Sequence, residues 1–162
     1  MEMLKDKIDK IIQEESKALA ENKSLHSKSR LDVLRLIKAE LVTAEKKCRE
    51  YTLNLENSVL VKMLNERQEA ANEYNKYGRE DLARKELYEL EVISEFAPKL
   101  PNDDELREFS KELVENYSKE KGDEYILSIR DMKPLKSLFS QKYPYSDVSS
   151  LVEALKNFIN DR

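Results

Sequence analysis

Tyr74-Asn75-Lys76-Tyr77-Gly78-Arg79-Glu80-Asp81-Leu82 is the stretch that decides the fold. Before it, Leu60, Leu64, Ala71 and Tyr74 recur at helical intervals, and such spacing lines one face of an α-helix. Gly78 ends that helix, because glycine reaches positive φ at little steric cost and suits the position just past a helix C-terminus. Glu80 and Asp81 then lie beside the positive N-terminal end of a new helix. A helix, a glycine stop and a second helix point to an all-α chain.

The same pattern extends upstream. Leu4, Ile8, Ile11, Ile12 and Leu19 line a first helix over about residues 3–21, ended by Glu21-Asn22-Lys23-Ser24. A second helix opens at Ser27 or Ser29 and carries Leu34, Ile37, Leu41, Ala44 and Cys48 inward to about Glu50. Thr52 or Asn54 caps the third, which Gly78 ends.

Downstream, the fourth helix buries Leu82, Leu90, Ile93 and Phe96, and Pro98 with Pro101 closes it, since proline lacks an N–H and disfavours helix in the residue before it. Asn102 or Asp103 opens a fifth helix with Leu106, Phe109, Leu113, Val114 and Tyr117 inward, stopped by Gly122. Tyr125-Ile126-Leu127 is too short for a helix and reads as a connector pinned to the core. Asp131 caps a sixth helix with Pro134 in its first turn and Leu135, Leu138 and Phe139 buried. Tyr143-Pro144-Tyr145 breaks the chain again. Ser146 or Asp147 caps a last helix that turns Leu151, Leu155, Phe158 and Ile159 inward.

The predicted fold is therefore all-α with two packed helical units. A four-helix unit spans residues 1–98, a three-helix bundle spans 102–162, and a prolyl hinge at 98–101 joins them.

Composition agrees with long solvated helices: 38% of the 162 residues are charged, 40% are apolar, and only two are glycine. The net charge of -4 excludes a uniformly basic nucleic-acid binder. It is unevenly spread, however, at +2 over residues 1–50, -8 over 51–127 and +2 over 128–162. Apolar runs fall far short of the roughly 20 residues that span a bilayer. The opening Met1-Glu2-Met3-Leu4-Lys5-Asp6 lacks the apolar stretch of a signal peptide, and a single cysteine suits a reducing compartment. A cytoplasmic protein without a membrane partner is expected.

Catalytic chemistry finds little footing. One glycine in each half cannot build a phosphate-cradling loop. His26, the sole histidine, lies in a serine-rich turn, which leaves no histidine pair for zinc and no base for a nucleophile. Cys48 reads as a buried structural cysteine, its neighbours Lys47 and Arg49 pointing away on a helix. Glu86, Glu89, Glu91 and Glu95 read as a solvated helix face. No catalytic residue, metal, cofactor or small-molecule substrate is expected.

Two cationic groupings are candidates for RNA. On the second helix Lys28, Arg35, Lys38, Lys46 and Arg49 fall within an arc of about 80° at 100° per residue, broken only by Leu31 and Val42. Such a stripe can track phosphates, or its members can pair with acids elsewhere. Near the C-terminus Arg130, Lys133, Lys136 and Lys142 accompany Tyr143 and Tyr145. There the tyrosines could stack on unpaired bases, or the Tyr-Pro-Tyr turn could cap the bundle core.

The run from Tyr74 to Ala83, followed by Lys85-Glu86, Glu89-Leu90 and Phe96-Ala97-Pro98-Lys99-Leu100, resembles the GatB/YqeY family. The family pattern there is an aromatic, Ala-Gly-Arg-Glu-Asp-Leu-Ala, Lys-Glu, Glu-Leu and a Tyr-Leu-Pro ending. Gly78, Arg79, Glu80, Asp81 and Leu82 are its centre in this chain. Arg30 through Leu41, Arg67 on the third helix and Asp131-Met132 also look like family segments. The turn before the last helix departs from the family's Gly-Arg-Ala-Asp-Gly, reading Tyr143-Pro144-Tyr145-Ser146-Asp147-Val148 with only Asp147 kept.

The resemblance is to the stand-alone, YqeY-like form. In multidomain relatives this helical unit is the tail of the B subunit of tRNA-dependent amidotransferases and helps engage tRNA. The resemblance thus implies a non-catalytic accessory protein whose partners are tRNA and amidotransferase or aminoacyl-tRNA-related proteins. It also implies an association with carbon–nitrogen ligase activity, glutamine as amido donor, only together with other subunits. The net -8 of residues 51–127 supports a different class, an acidic helical adaptor that docks a basic protein without RNA.

Overall fold

A computed structural model describes residues 2–22 and 28–161. His26 and the Ser27 cap lie outside the described residues. Seven α-helices and one 3₁₀ turn make up the described structure, with no strand among the described residues. The helices are α1 Leu4–Ala20, α2 Lys28–Lys47, α3 Leu53–Lys76, α4 Glu80–Ser94, α5 Asp103–Lys121, α6 Met132–Lys142 and α7 Ser149–Asn160, with the 3₁₀ turn at Ile129–Asp131. The chain divides into two compact units, Met1–Pro98 and Lys99–Arg162.

In the first unit α1 to α4 close on a core of Ile8, Leu34, Ile37, Leu41, Leu60, Met63 and Ile93. Thr52 caps α3 by accepting from the Leu55 N–H at 3.2 Å. One turn further on Glu56 is buried, and its carboxylate accepts from the Leu4 N–H at 2.7 Å. That N–H is one of the donors a helix start leaves without an internal partner, so Glu56 fastens the beginning of α1 to the beginning of α3.

Ion pairs tie the remaining helices. Arg30 of α2 reaches Glu15 of α1 at 3.1 Å and Glu95 beyond α4 at 2.8 Å. Arg67 of α3 reaches Glu89 at 2.8 Å and Glu86 at 3.6 Å, both on α4. Part of the carboxylate row expected to be a solvated face on the fourth helix is therefore occupied by half-buried arginines.

The turn between α3 and α4 is closed by two backbone bonds. The Arg79 N–H donates to the Tyr74 carbonyl at 2.9 Å and the Gly78 N–H to Asn75 at 3.1 Å. These are the paired bonds of a Schellman motif, with Gly78 in the left-handed region at φ 69°. A Cβ placed on Gly78 would meet nothing within 4 Å, so torsion alone selects glycine here. Gly78→Ala is expected to cost about 1 kcal/mol, the penalty of an L-residue in that region, in urea unfolding. An unchanged midpoint would mean that the turn tolerates another geometry.

Two expectations about α2 and its sequel are corrected. The helix ends at Lys47, and Cys48 is exposed, not buried on the apolar face. The chain bends over residues 48–50, so that Tyr51 lies under the Lys5 ammonium at 5.1 Å and Thr52 can cap α3.

In the second unit α5, α6 and α7 surround Val114, Leu127, Leu135, Phe139, Leu151 and Leu155. Asn102 opens α5 with a reciprocal capping box, accepting from the Glu105 N–H at 2.8 Å while its own N–H donates to Glu105 at 2.9 Å. Of the connector, Leu127 alone is buried, whereas Ile126 is 75% exposed. Leu138 is exposed as well, because Leu135 and Phe139 already fill the inward side of α6.

Asp131 occupies the N-cap position of α6, but its side chain makes no cap bond there. It is buried and closes the preceding 3₁₀ turn, accepting from the Ser128 N–H at 2.8 Å and the Tyr125 hydroxyl at 2.7 Å. Asp147 stands one residue before the N-cap of α7, which is Val148, and accepts from the Ser149 N–H at 2.8 Å.

Candidate nucleic-acid interface

The stripe on α2 is shorter than its sequence spacing suggests. Lys28 is the first residue of the helix and is exposed, as are Arg35 and Lys46. Lys38 is half-buried and paired with Asp9 of α1. Arg35 lies 3.4 Å from Asp32, an exposed pair of little strength. Arg49 falls beyond Lys47 in the bend, so helical spacing no longer places it with the others. Lys28, Arg35 and Lys46 stay aligned within about 20° over roughly 27 Å of helix at 1.5 Å per residue.

The C-terminal grouping separates into a cationic face and a closed aromatic cluster. Tyr143 is half-buried, its ring edge-on to Phe109 at 5.1 Å and tilted against Phe139 at 5.8 Å. Lys142 covers this cluster, its ammonium 4.2 Å from the Phe109 centroid and 5.3 Å from that of Tyr143. Tyr145 is half-buried. The Tyr143 ring is thus a wall of the bundle core, and Lys142 is held by cation–π contact.

What stays open is the outer side of α6. Met132–Lys142 reads Met-Lys-Pro-Leu-Lys-Ser-Leu-Phe-Ser-Gln-Lys, and among the seven described helices it alone lacks a carboxylate. Lys133 and Lys136 are exposed and form no ion pair among the described residues. Exposed Arg130 precedes them, and exposed Ser137, Ser140 and Gln141 add hydrogen-bonding groups. Asp131, the acid immediately ahead of the helix, is buried and engaged by Tyr125, Tyr117 and Ser128, which takes it away from this surface. The charge of each helix read separately carries this signal, whereas the chain total of -4 hides it.

The motif residues Gly78 to Leu82 form the α3–α4 turn already described. Arg79 forks Asp81, Nε to Oδ1 and Nη2 to Oδ2 both at 3.2 Å, and both side chains are exposed. The hydrogen bond to Asp81 and its charge raise the Arg79 guanidinium above its ordinary value, and the same bond holds Asp81 below the ordinary carboxylate range. Arg30, Arg67 and Arg79 each engage carboxylates of this chain.

Among the described residues, no group of three His, Cys, Asp or Glu side chains could hold a metal ion, and no helix is long and apolar enough to cross a membrane. Fold and surface together define an all-helical protein of two units, clamped internally by arginines and presenting a carboxylate-free cationic helix. The chain belongs to the Yqey-like protein family, which it matches over residues 3–156. No curated protein matches it.

Proposed function

We propose that this protein is a non-catalytic, RNA-engaging accessory protein of the cytoplasm, acting on tRNA or within a tRNA-dependent amidotransferase-type assembly. One observation carries the reading: α6 presents Lys133 and Lys136 to solvent without a carboxylate on the helix. Uncompensated lysines attract phosphate and release condensed counterions when they bind it, so the affinity they provide depends on salt. The aligned Lys28, Arg35 and Lys46 of α2 supply a second, weaker track.

The test is binding of bulk tRNA by the full chain at about 50 and 200 mM salt, the range over which phosphate contacts lose most of their strength. The double reversal Lys133→Glu with Lys136→Glu is expected to weaken binding at least about tenfold and to lower the slope of log affinity against log salt by about two. Arg35→Glu with Lys46→Glu is expected to act in the same direction and less. Equal binding by wild type and both variants, or none by wild type, would remove the reading.

A further inference from the structure

Tyr77 is 77% exposed at the tip of the α3–α4 hairpin. A buried aromatic ring removes about 150–250 Å² from water, yet this one joins neither of the two cores. The turn does not need it, since the Schellman bonds run through the backbone and the positive φ belongs to Gly78. Its placement is also firm, because Tyr77 is the last residue before the glycine and its N–H still bonds back to Glu73 at 3.3 Å.

The surroundings of the ring are polar. Lys76 and Arg79 flank it and are exposed, Arg84 is exposed one turn into α4, and Glu73, Glu80 and Asp81 are the nearby acids. Asp81 uses two of the five guanidinium donors of Arg79 and fixes the plane of the group, leaving three donors for another acceptor. An apolar pocket on a protein partner would call for an apolar rim around the tyrosine, and none surrounds it in residues 73–81. A flat ring beside a fixed guanidinium and a lysine matches an unpaired nucleobase with its phosphates.

We infer that the α3–α4 tip is a stacking site for an unpaired base of single-stranded or loop RNA, with Tyr77 under the base and Lys76 and Arg79 on adjoining phosphates. This rests on the RNA reading above and adds a place where bases, not phosphates alone, are met. The site differs from the α6 face in its signature, because stacking is nearly independent of salt while phosphate contacts are not.

The experiment compares the full chain with Tyr77→Ala and Tyr77→Phe on two probes, a single-stranded oligouridylate and a blunt RNA duplex of the same length. Tyr77→Ala is expected to weaken oligouridylate binding about 5- to 100-fold with the salt slope unchanged. Duplex affinity should hold, and Tyr77→Phe should behave as wild type on both probes. Because the side chain lies in solvent, the circular dichroism of both variants should match the parent.

Wild-type affinity of Tyr77→Ala for oligouridylate, alongside weakened binding in the Lys133→Glu, Lys136→Glu variant, would overturn the stacking site and leave the RNA reading standing. Equal losses of Tyr77→Ala on both probes would also overturn it. Failure of the wild type to bind any RNA would remove both.

Discussion

Phe139→Ala is expected to destabilise the second unit by about 3–5 kcal/mol, the range for removing a large buried aromatic side chain. Phe139 is fully buried, and its ring stands 5.9 Å from Phe109 and 5.8 Å from Tyr143 by centroid. Aromatic pairs at such spacing add to the transfer energy of the ring itself, so two such contacts are lost together with the volume. The neighbours that could close the gap are themselves committed: Tyr143 is held edge-on by Phe109, and Lys142 sits over both rings.

Amide hydrogen exchange gives the measurement. Protection in α5 to α7 should fall by the full amount, while amides of α2 and α3 should lose much less, because the two cores share no residue. A uniform loss across both units, or one below about 1 kcal/mol, would contradict the packing described. The same variant should lose the share of salt-dependent tRNA binding that α6 supplies, since Lys133 and Lys136 are spaced only while α6 is folded onto that core.

The helices were legible because their punctuation is chemical and local. Gly78 and Gly122 both take positive φ, Thr52 and Asn102 both accept the N–H three residues on, and each needs only its own neighbours to do so. What was not legible depends on partners distant in sequence. Cys48 continues the apolar spacing of α2, but the need to seat Tyr51 beside Lys5 ends the helix first. Lys38 looks like a free member of a stripe until α1 delivers Asp9 to it.

The candidate site divides the same way. Tyr143 sits among cations in sequence as a stacking tyrosine would, yet Phe109, 34 positions earlier, draws its ring edge-on into the bundle's aromatic cluster. Helical spacing sets Tyr74 beside Leu60, Leu64 and Ala71 and Tyr77 about 60° further round, and the structure agrees, with Tyr74 half-buried and Tyr77 exposed. What spacing does not show is that the exposed ring ends up beside a guanidinium held in place by Asp81. Asp131 shows a further limit: an aspartate ahead of a helix reads as its cap, and here the same carboxylate is drawn into a buried tyrosine network instead.

That network yields the second large effect, with a pH dependence whose sign is set. Asp131→Asn is expected to cost roughly 2–3 kcal/mol at pH 7, because hydrogen bonds to a charged acceptor are worth about 1.5–3 kcal/mol and the amide cannot accept at both former oxygens. In the wild type one oxygen accepts from the Tyr125 hydroxyl at 2.7 Å and the Tyr117 hydroxyl at 3.4 Å, the other from the Ser128 N–H at 2.8 Å. Burial pushes the Asp131 carboxyl up, but the bonds from Ser128, Tyr125 and Tyr117 outweigh it and hold the group below its ordinary value of 3.8. A carboxyl lowered on folding contributes stability that is present above the unfolded value and is lost as pH falls through the folded one. The gap between wild type and Asp131→Asn in urea unfolding should therefore be widest at neutral pH and narrow below about pH 4. The hydrogen bond to Asp131, then burial, raise the Tyr125 phenol, so in the variant that phenol should titrate at lower pH. A gap that stays constant from pH 7 down to pH 3 would show that the charge of Asp131 contributes nothing, and that the 3₁₀ turn ahead of α6 is held by shape alone.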